Sequence, residues 1–197
     1  MHPTGFPYTS AGTITDFTLN GLMSRRSQAC RTSTVPGLTE IEDRQLTLPE
    51  QNRLAKQLED FDCIPLFPEG EDLHRHLHGF SRNTIWPLFH YFTEHVTYND
   101  EAWESYKKVN RLYADKLLEV ISEGDVVWIH DYHLMLLPGM IRAERPGISI
   151  GAFIHIPFPS YEICRVLPWR IDIIEGMLGA DLIGFQIYDY ARHFKSL

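Results

Sequence analysis

Asp125-Val-Val-Trp-Ile-His-Asp-Tyr-His133 decides the fold. Residues 126–129 are β-branched, aromatic or aliphatic, and a Gly124-Asp125 turn signal precedes them, so they read as a strand buried on both faces. His130, Asp131, Tyr132 and His133 follow at once. Polar side chains crowded just past the carboxyl end of a parallel strand stand where open α/β sheets bind ligands. A second unit, Ile148-Ser-Ile-Gly-Ala-Phe-Ile-His155, also breaks from apolar to polar, at His155. The two strand ends are expected to face one crevice.

The flanks supply the alternation that such a sheet needs. Asn99-Asp-Glu opens a helix, with Asn99 or Asp100 as its cap and Glu101 at the positive end of its dipole. Trp103, Tyr106, Val109, Leu112, Tyr113, Leu117 and Val120 form its apolar stripe. After His133 come a helix over 135–144 and a Pro146-Gly147 turn. Beyond the second strand, a loop carrying Pro157, Pro159 and Pro168 leads to a helix over 170–178, with Gly179 as its carboxyl cap. Asp181-Leu-Ile-Gly-Phe185 reads as a third buried strand, and 188–197 as a helix that looks cut. Right-handed crossovers turn this order into an α/β fold with a Rossmann-like, doubly wound parallel sheet.

Upstream the signals weaken. Residues 49–58 read as a helix with Pro49 in its first turn, and 63–67 as a short strand limited by Pro65. Residues 68–98 read as a loop carrying His74, His76, His78 and His90 among aromatics. No carboxylate or cysteine is spaced to complete a metal site with these histidines, so no metal is assigned. The Trp86-Pro-Leu-Phe-His-Tyr91 run is more often packed core than a binding platform. Residues 1–40 are weakly patterned. Within them 16–26 reads as a short helix or strand, and Pro36-Gly37 as a turn.

The bulk properties exclude several classes. A net charge of −8 over 197 residues argues against nucleic acid or an anionic membrane as partner. No segment approaches the roughly 18 apolar residues of a membrane span, and no secretory signal opens the chain. Cys30, Cys63 and Cys164 are scattered and read as buried small hydrophobes in a reducing, cytoplasmic setting. Dinucleotide, P-loop and nucleophile-elbow motifs are all missing.

Asp131 has two readings of equal weight from position: a carboxylate for substrate hydroxyls or base chemistry, or a helix cap. His155, held between a strand and Pro157, can bond a sugar hydroxyl or phosphate, or be a satisfied buried histidine. His130 and His133 are expected to point elsewhere and to be structural.

Asn83-Thr-Ile-Trp-Pro-Leu-Phe-His-Tyr91, Trp128-Ile-His-Asp-Tyr-His-Leu-Met-Leu-Leu-Pro138, His155-Ile-Pro-Phe-Pro-Ser160, and Asp181-Leu-Ile-Gly-Phe185 with Tyr188-Asp-Tyr-Ala-Arg-His-Phe194 resemble the trehalose-6-phosphate synthase family. The resemblance runs from around Pro36 to the end. It implies the amino-terminal half of a GT-B glycosyltransferase, with the active site between two Rossmann-like domains. It implies transfer of glucose from UDP-glucose to glucose 6-phosphate, with retention and with no cofactor or obligatory metal. Trp86 would line the glucose 6-phosphate pocket, Asp131 would hold acceptor hydroxyls, and His155 would contact the transferred glucose. Gly21, in Asn20-Gly-Leu22, echoes the glycine-rich loop near the donor phosphates. Implied partners are the two substrates, and a second copy or other subunits of a trehalose-synthase complex.

The sequence departs from the family pattern in several places. The arginine-bearing loop of the opening strand is not found. Val35-Pro36-Gly37 stands where the family has Trp-Pro-Gly, and Leu77 where it has a tyrosine on the acceptor phosphate. Residues 1–40 therefore read as an eroded amino-terminal segment. Residues 41–197 read as a truncated acceptor-side domain without the nucleotide-sugar domain, expected to be inactive alone. A non-catalytic regulatory subunit is the alternative. A metal-dependent hydrolase built on the histidines ranks third.

Overall fold

The computed structural model describes residues 22–25, 32–35, 47–59 and 63–197. The expected Pro36-Gly37 turn and the thiol of Cys30 lie outside them. Five strands form one sheet in the order β2-β1-β3-β4-β5: β1 (Leu22–Arg25), β2 (Thr32–Val35), β3 (Val126–His130), β4 (Ser149–Ile154) and β5 (Leu182–Phe185). Strands β3, β4 and β5 are parallel, as the alternating pattern requires. The sheet is not parallel throughout, however, because β1 pairs antiparallel with both β2 and β3. Residues 26–31 are too short for the crossover of about a dozen residues that a parallel β1–β2 pair would need.

Strand parity sets the core. Val127, Ile129, Ile150, Ala152 and Ile154 are buried on one face. The first four of these pack with Val109, Tyr113, Ala114 and Leu117 of α4 (Asp100–Val120) and with Leu137 and Ile141 of α5 (Leu137–Glu144). Burial on both faces, expected from the apolar runs, is not observed. Val126 remains 41% exposed and Leu182 60% exposed, because the described helices pack on the Val127–Ile129 side. On the other side the Trp128 ring lies across Gly151, where any Cβ would collide with it.

Asn99 caps α4, its Oδ1 accepting the Ala102 N–H at 2.9 Å. The expected stripe is buried at Trp103, Tyr106, Val109, Tyr113 and Leu117, while Leu112 rotates out to the surface. The Asp125 carboxylate accepts the Ser122 N–H at 2.7 Å and closes the turn into β3. Upstream, α1 (Leu48–Glu59) is capped by Thr47, whose N–H and hydroxyl both donate to Glu50 Oε2, at 2.8 and 2.7 Å. Residues 63–67 contribute only bridge positions at Cys63 and Leu66 rather than a strand.

The expected loop over 68–98 is largely helical. α2 (Gly70–His74) runs into a π-helical segment (Arg75–Ile85) and then α3 (Trp86–Phe89). From His76 onward its buried positions His76, Phe80, Ser81, Thr84, Ile85, Leu88 and Phe89 recur at fours and fives. That spacing follows the wider i→i+5 winding and so escapes a 3.6-residue test.

The carboxyl-terminal part contains α6 (Tyr161–Cys164), unforeseen within the proline loop, then α7 (Arg170–Met177) and α8 (Tyr188–Lys195). Gly179 is not a left-handed cap. It approaches the Gly139 backbone so closely that a Cβ would overlap Gly139 N and Cα. Arg142 of α5 ties the strand starts together, donating to Gly179 O (3.0 Å), Ile148 O (2.8 Å) and Asp181 Oδ2 (2.6 Å). Cys164 is buried and its thiol is pushed up to about 11 by desolvation. Among the described residues, no helix is long and apolar enough to cross a membrane.

Candidate active site

The parallel register carries Asp131 and His155 to one place. His130 pairs with Phe153, so the residues that follow these strands arrive level. The Asp131 N–H donates to Phe153 O at 2.8 Å. Asp131 Oδ1 accepts the backbone N–H of His155 at 3.2 Å and that of Tyr132 at 2.9 Å. One oxygen thus caps the turn over Tyr132–Leu134 and couples the two strand ends, which orients the whole carboxylate. Asp131 adopts φ 66° and ψ 178°, a conformation that costs a non-glycine residue about 1–3 kcal/mol.

His130 does not point elsewhere. Residues two apart on a strand share a face, so Phe153 and His155 lie beside it. His130 Nδ1 is 3.0 Å from His155 Nε2, and the rings stack at 5.3 Å. Burial, and then the neighbouring His155, hold His130 below its ordinary value. His133 lies against Tyr132 at 4.0 Å, and desolvation pushes it down to about 3.

Trp86 begins α3 and is 40% exposed, while Ile85, Leu88 and Phe89 are buried around it. The aromatic run is therefore core on one side and open on the other. The Trp86 ring stacks on His90 at 4.2 Å, and His90 Nδ1 donates to Trp86 O at 2.7 Å. Tyr91 connects this helix to the loop after His155: its hydroxyl accepts the Ser160 N–H at 3.0 Å. His193 Nδ1 donates to Phe158 O in the same loop at 2.9 Å. Gly21 lies outside the described residues. His76 is buried against Tyr106, whereas His74 and His78 face outward with their rings 4.8 Å apart. Among the described residues, no three His, Cys, Asp or Glu side chains converge where a metal ion could sit.

Sequence reasoning missed Tyr106 and Asn110 as neighbours of this site. The Tyr106 hydroxyl donates to Tyr132 O at 2.7 Å, and Asn110 Nδ2 donates to His133 O at 3.1 Å. A buried asparagine in a largely apolar helix stripe was the available signal.

Comparison with known proteins follows the same lines. Residues 13–197 match the model of glycosyltransferase family 20. The chain is 45% identical over 192 residues to an α,α-trehalose-phosphate synthase (UDP-forming) of Emericella nidulans, covering 92% of this chain and 37% of that protein. It resembles the trehalose-6-phosphate phosphatase N-terminal domain of Candida albicans, with TM-score 0.67, 38% identity and coverage of 76% and 33% of the two chains. It also resembles the α,α-trehalose-phosphate synthase (UDP-forming) of Burkholderia xenovorans in complex with glucose-6-phosphate, with TM-score 0.62, 36% identity and coverage of 67% and 29%. The chain thus spans about a third of the length of the relatives it matches.

Proposed function

The chain belongs to glycosyltransferase family 20, and from that premise we propose that it forms the acceptor side of a UDP-forming trehalose-phosphate synthase. In this reading residues 41–197 are the Rossmann-like acceptor domain, and residues 1–40 lead into it. The whole protein moves glucose from UDP-glucose to glucose 6-phosphate. Asp131 holds acceptor hydroxyls, His155 contacts the transferred glucose, Trp86 lines the sugar-phosphate pocket, and Gly21 lies near the donor phosphates. The chain contributes orientation and charge placement, the effects on which such transfers chiefly depend. A cytoplasmic location and assembly with a second copy or with other subunits go with this reading.

The observation that carries it is the Asp131–His155 junction, a carboxylate oxygen accepting the next strand's N–H at 3.2 Å. Calorimetric titration with glucose 6-phosphate tests it. Saturable binding that is weakened but still measurable in Asp131→Asn and in Trp86→Ala is expected; no saturable binding by the unaltered chain overturns it.

A non-catalytic subunit is the second reading. Leu77, half-buried on the π-helical segment, favours it, as does the likeness to a domain named for a phosphatase. It predicts no glucose 6-phosphate binding that depends on Asp131 and Trp86.

A further inference from the structure

The backbone just after Asp131 enters a buried environment before it becomes helical. Leu134, Met135 and Leu136 are nearly fully buried, so the polar groups of this stretch cannot turn to water. Those of Tyr132, His133, Met135 and Leu136 are met from outside the segment by two side chains one turn apart on α4. The Tyr106 hydroxyl donates to Tyr132 O (2.7 Å) and accepts the Met135 N–H (3.0 Å). Asn110 Nδ2 donates to His133 O (3.1 Å) and to Tyr106 O (2.9 Å), while its Oδ1 accepts the Leu136 N–H (3.3 Å). Both residues are fully buried. The Tyr106 ring is wedged between Phe80 (4.5 Å) and His76 (5.1 Å), which fixes where its hydroxyl stands.

From this arrangement we infer that Tyr106 and Asn110 are positioning residues for the Asp131 carboxylate. Tyr132 is the residue that accepts Asp131's unusual torsion. Its N–H holds Asp131 Oδ1, and its carbonyl is held by Tyr106. A shift at Tyr132 therefore turns the carboxylate. The helix acts through Asp131 and does not touch the sugar. This inference rests on the reading of Asp131 as an acceptor-sugar ligand.

A double-mutant cycle on the 197-residue chain tests it, read as the dissociation constant for glucose 6-phosphate at a temperature where near-ultraviolet circular dichroism shows each variant folded. Tyr106→Phe removes one hydroxyl and keeps the ring. It is expected to weaken binding about tenfold in the parent, and not at all in the Asp131→Asn background. Asn110→Ser, which shortens the side chain and breaks its bonds to His133 O and the Leu136 N–H without burying a charge, is expected to behave alike and serves if the first variant does not fold. Equal losses in both backgrounds, or an unchanged constant in a folded variant, overturn the inference while leaving the acceptor site standing. Failure of Asp131→Asn itself to weaken binding overturns the acceptor-site reading instead.

Discussion

The imidazoles of His130 and His155 lie stacked across adjacent parallel strands, with Nδ1 of the first 3.0 Å from Nε2 of the second. One nitrogen must donate and the other accept, so protonating both rings turns the contact into a repulsion. His130 should therefore titrate below its ordinary 6.5, as burial and then His155 both require. Histidine proton chemical shifts against pH check this. His155→Ala should raise the His130 value only part of the way, since desolvation is the larger cause.

Acid should destabilise the fold. His76 is buried and His133 half-buried; His76 is held well below 6.5 and His133 pushed down to about 3, both chiefly by desolvation. Each binds its proton more readily in the unfolded chain. Stability is therefore complete above 6.5 and falls as pH drops toward the folded-state values, by about 1.4 kcal/mol per pH unit for each proton taken up on unfolding. Urea denaturation at pH 7 and pH 5 checks the slope. His133→Phe should flatten it, leaving His76 and His130 to carry the remainder.

Gly179→Ala should destabilise the protein by about 1–3 kcal/mol. The added methyl meets the Gly139 main chain, which cannot swing aside as a side-chain tip does. Chemical denaturation gives the magnitude. Gly147→Ala, where nothing lies within 4 Å, is the matched control and should change little.

The 197-residue polypeptide should release no UDP from UDP-glucose and glucose 6-phosphate. It spans 37% of the Emericella nidulans synthase, and in the proposed reading Asp131 and Trp86 orient one substrate, which does not by itself stabilise a departing diphosphate. A coupled UDP assay checks this, and clear turnover would contradict it.

The strand ends were legible because their signal is local. Residues 126–129 and 148–154 are apolar runs that switch sharply to polar at His130 and His155, and no distant contact is needed to see it. The pairing of the two histidine rings was not legible, since it depends on the register that sets His130 level with Phe153. The helical run over 70–89 hid for another reason: across its π-helical stretch the buried positions drift toward a wider spacing of fours and fives, and two of the inward residues, His76 and Ser81, are polar. The antiparallel β1 came from a stretch where strand and helix signals were balanced. Asn110 alone offered a clue to the support behind Asp131: a polar side chain beside the apolar stripe of a helix that the sequence already showed, with nothing local to say what it would hold.

The loop after His155 is pinned from two directions, by the Tyr91 hydroxyl on Ser160 and by His193 on Phe158, with Pro159 between them and Pro157 just before. A rim so fastened surrenders little freedom when a guest arrives. On the proposed acceptor-side reading, selection among sugars at this edge falls to fit against a standing wall rather than to a flap folding over.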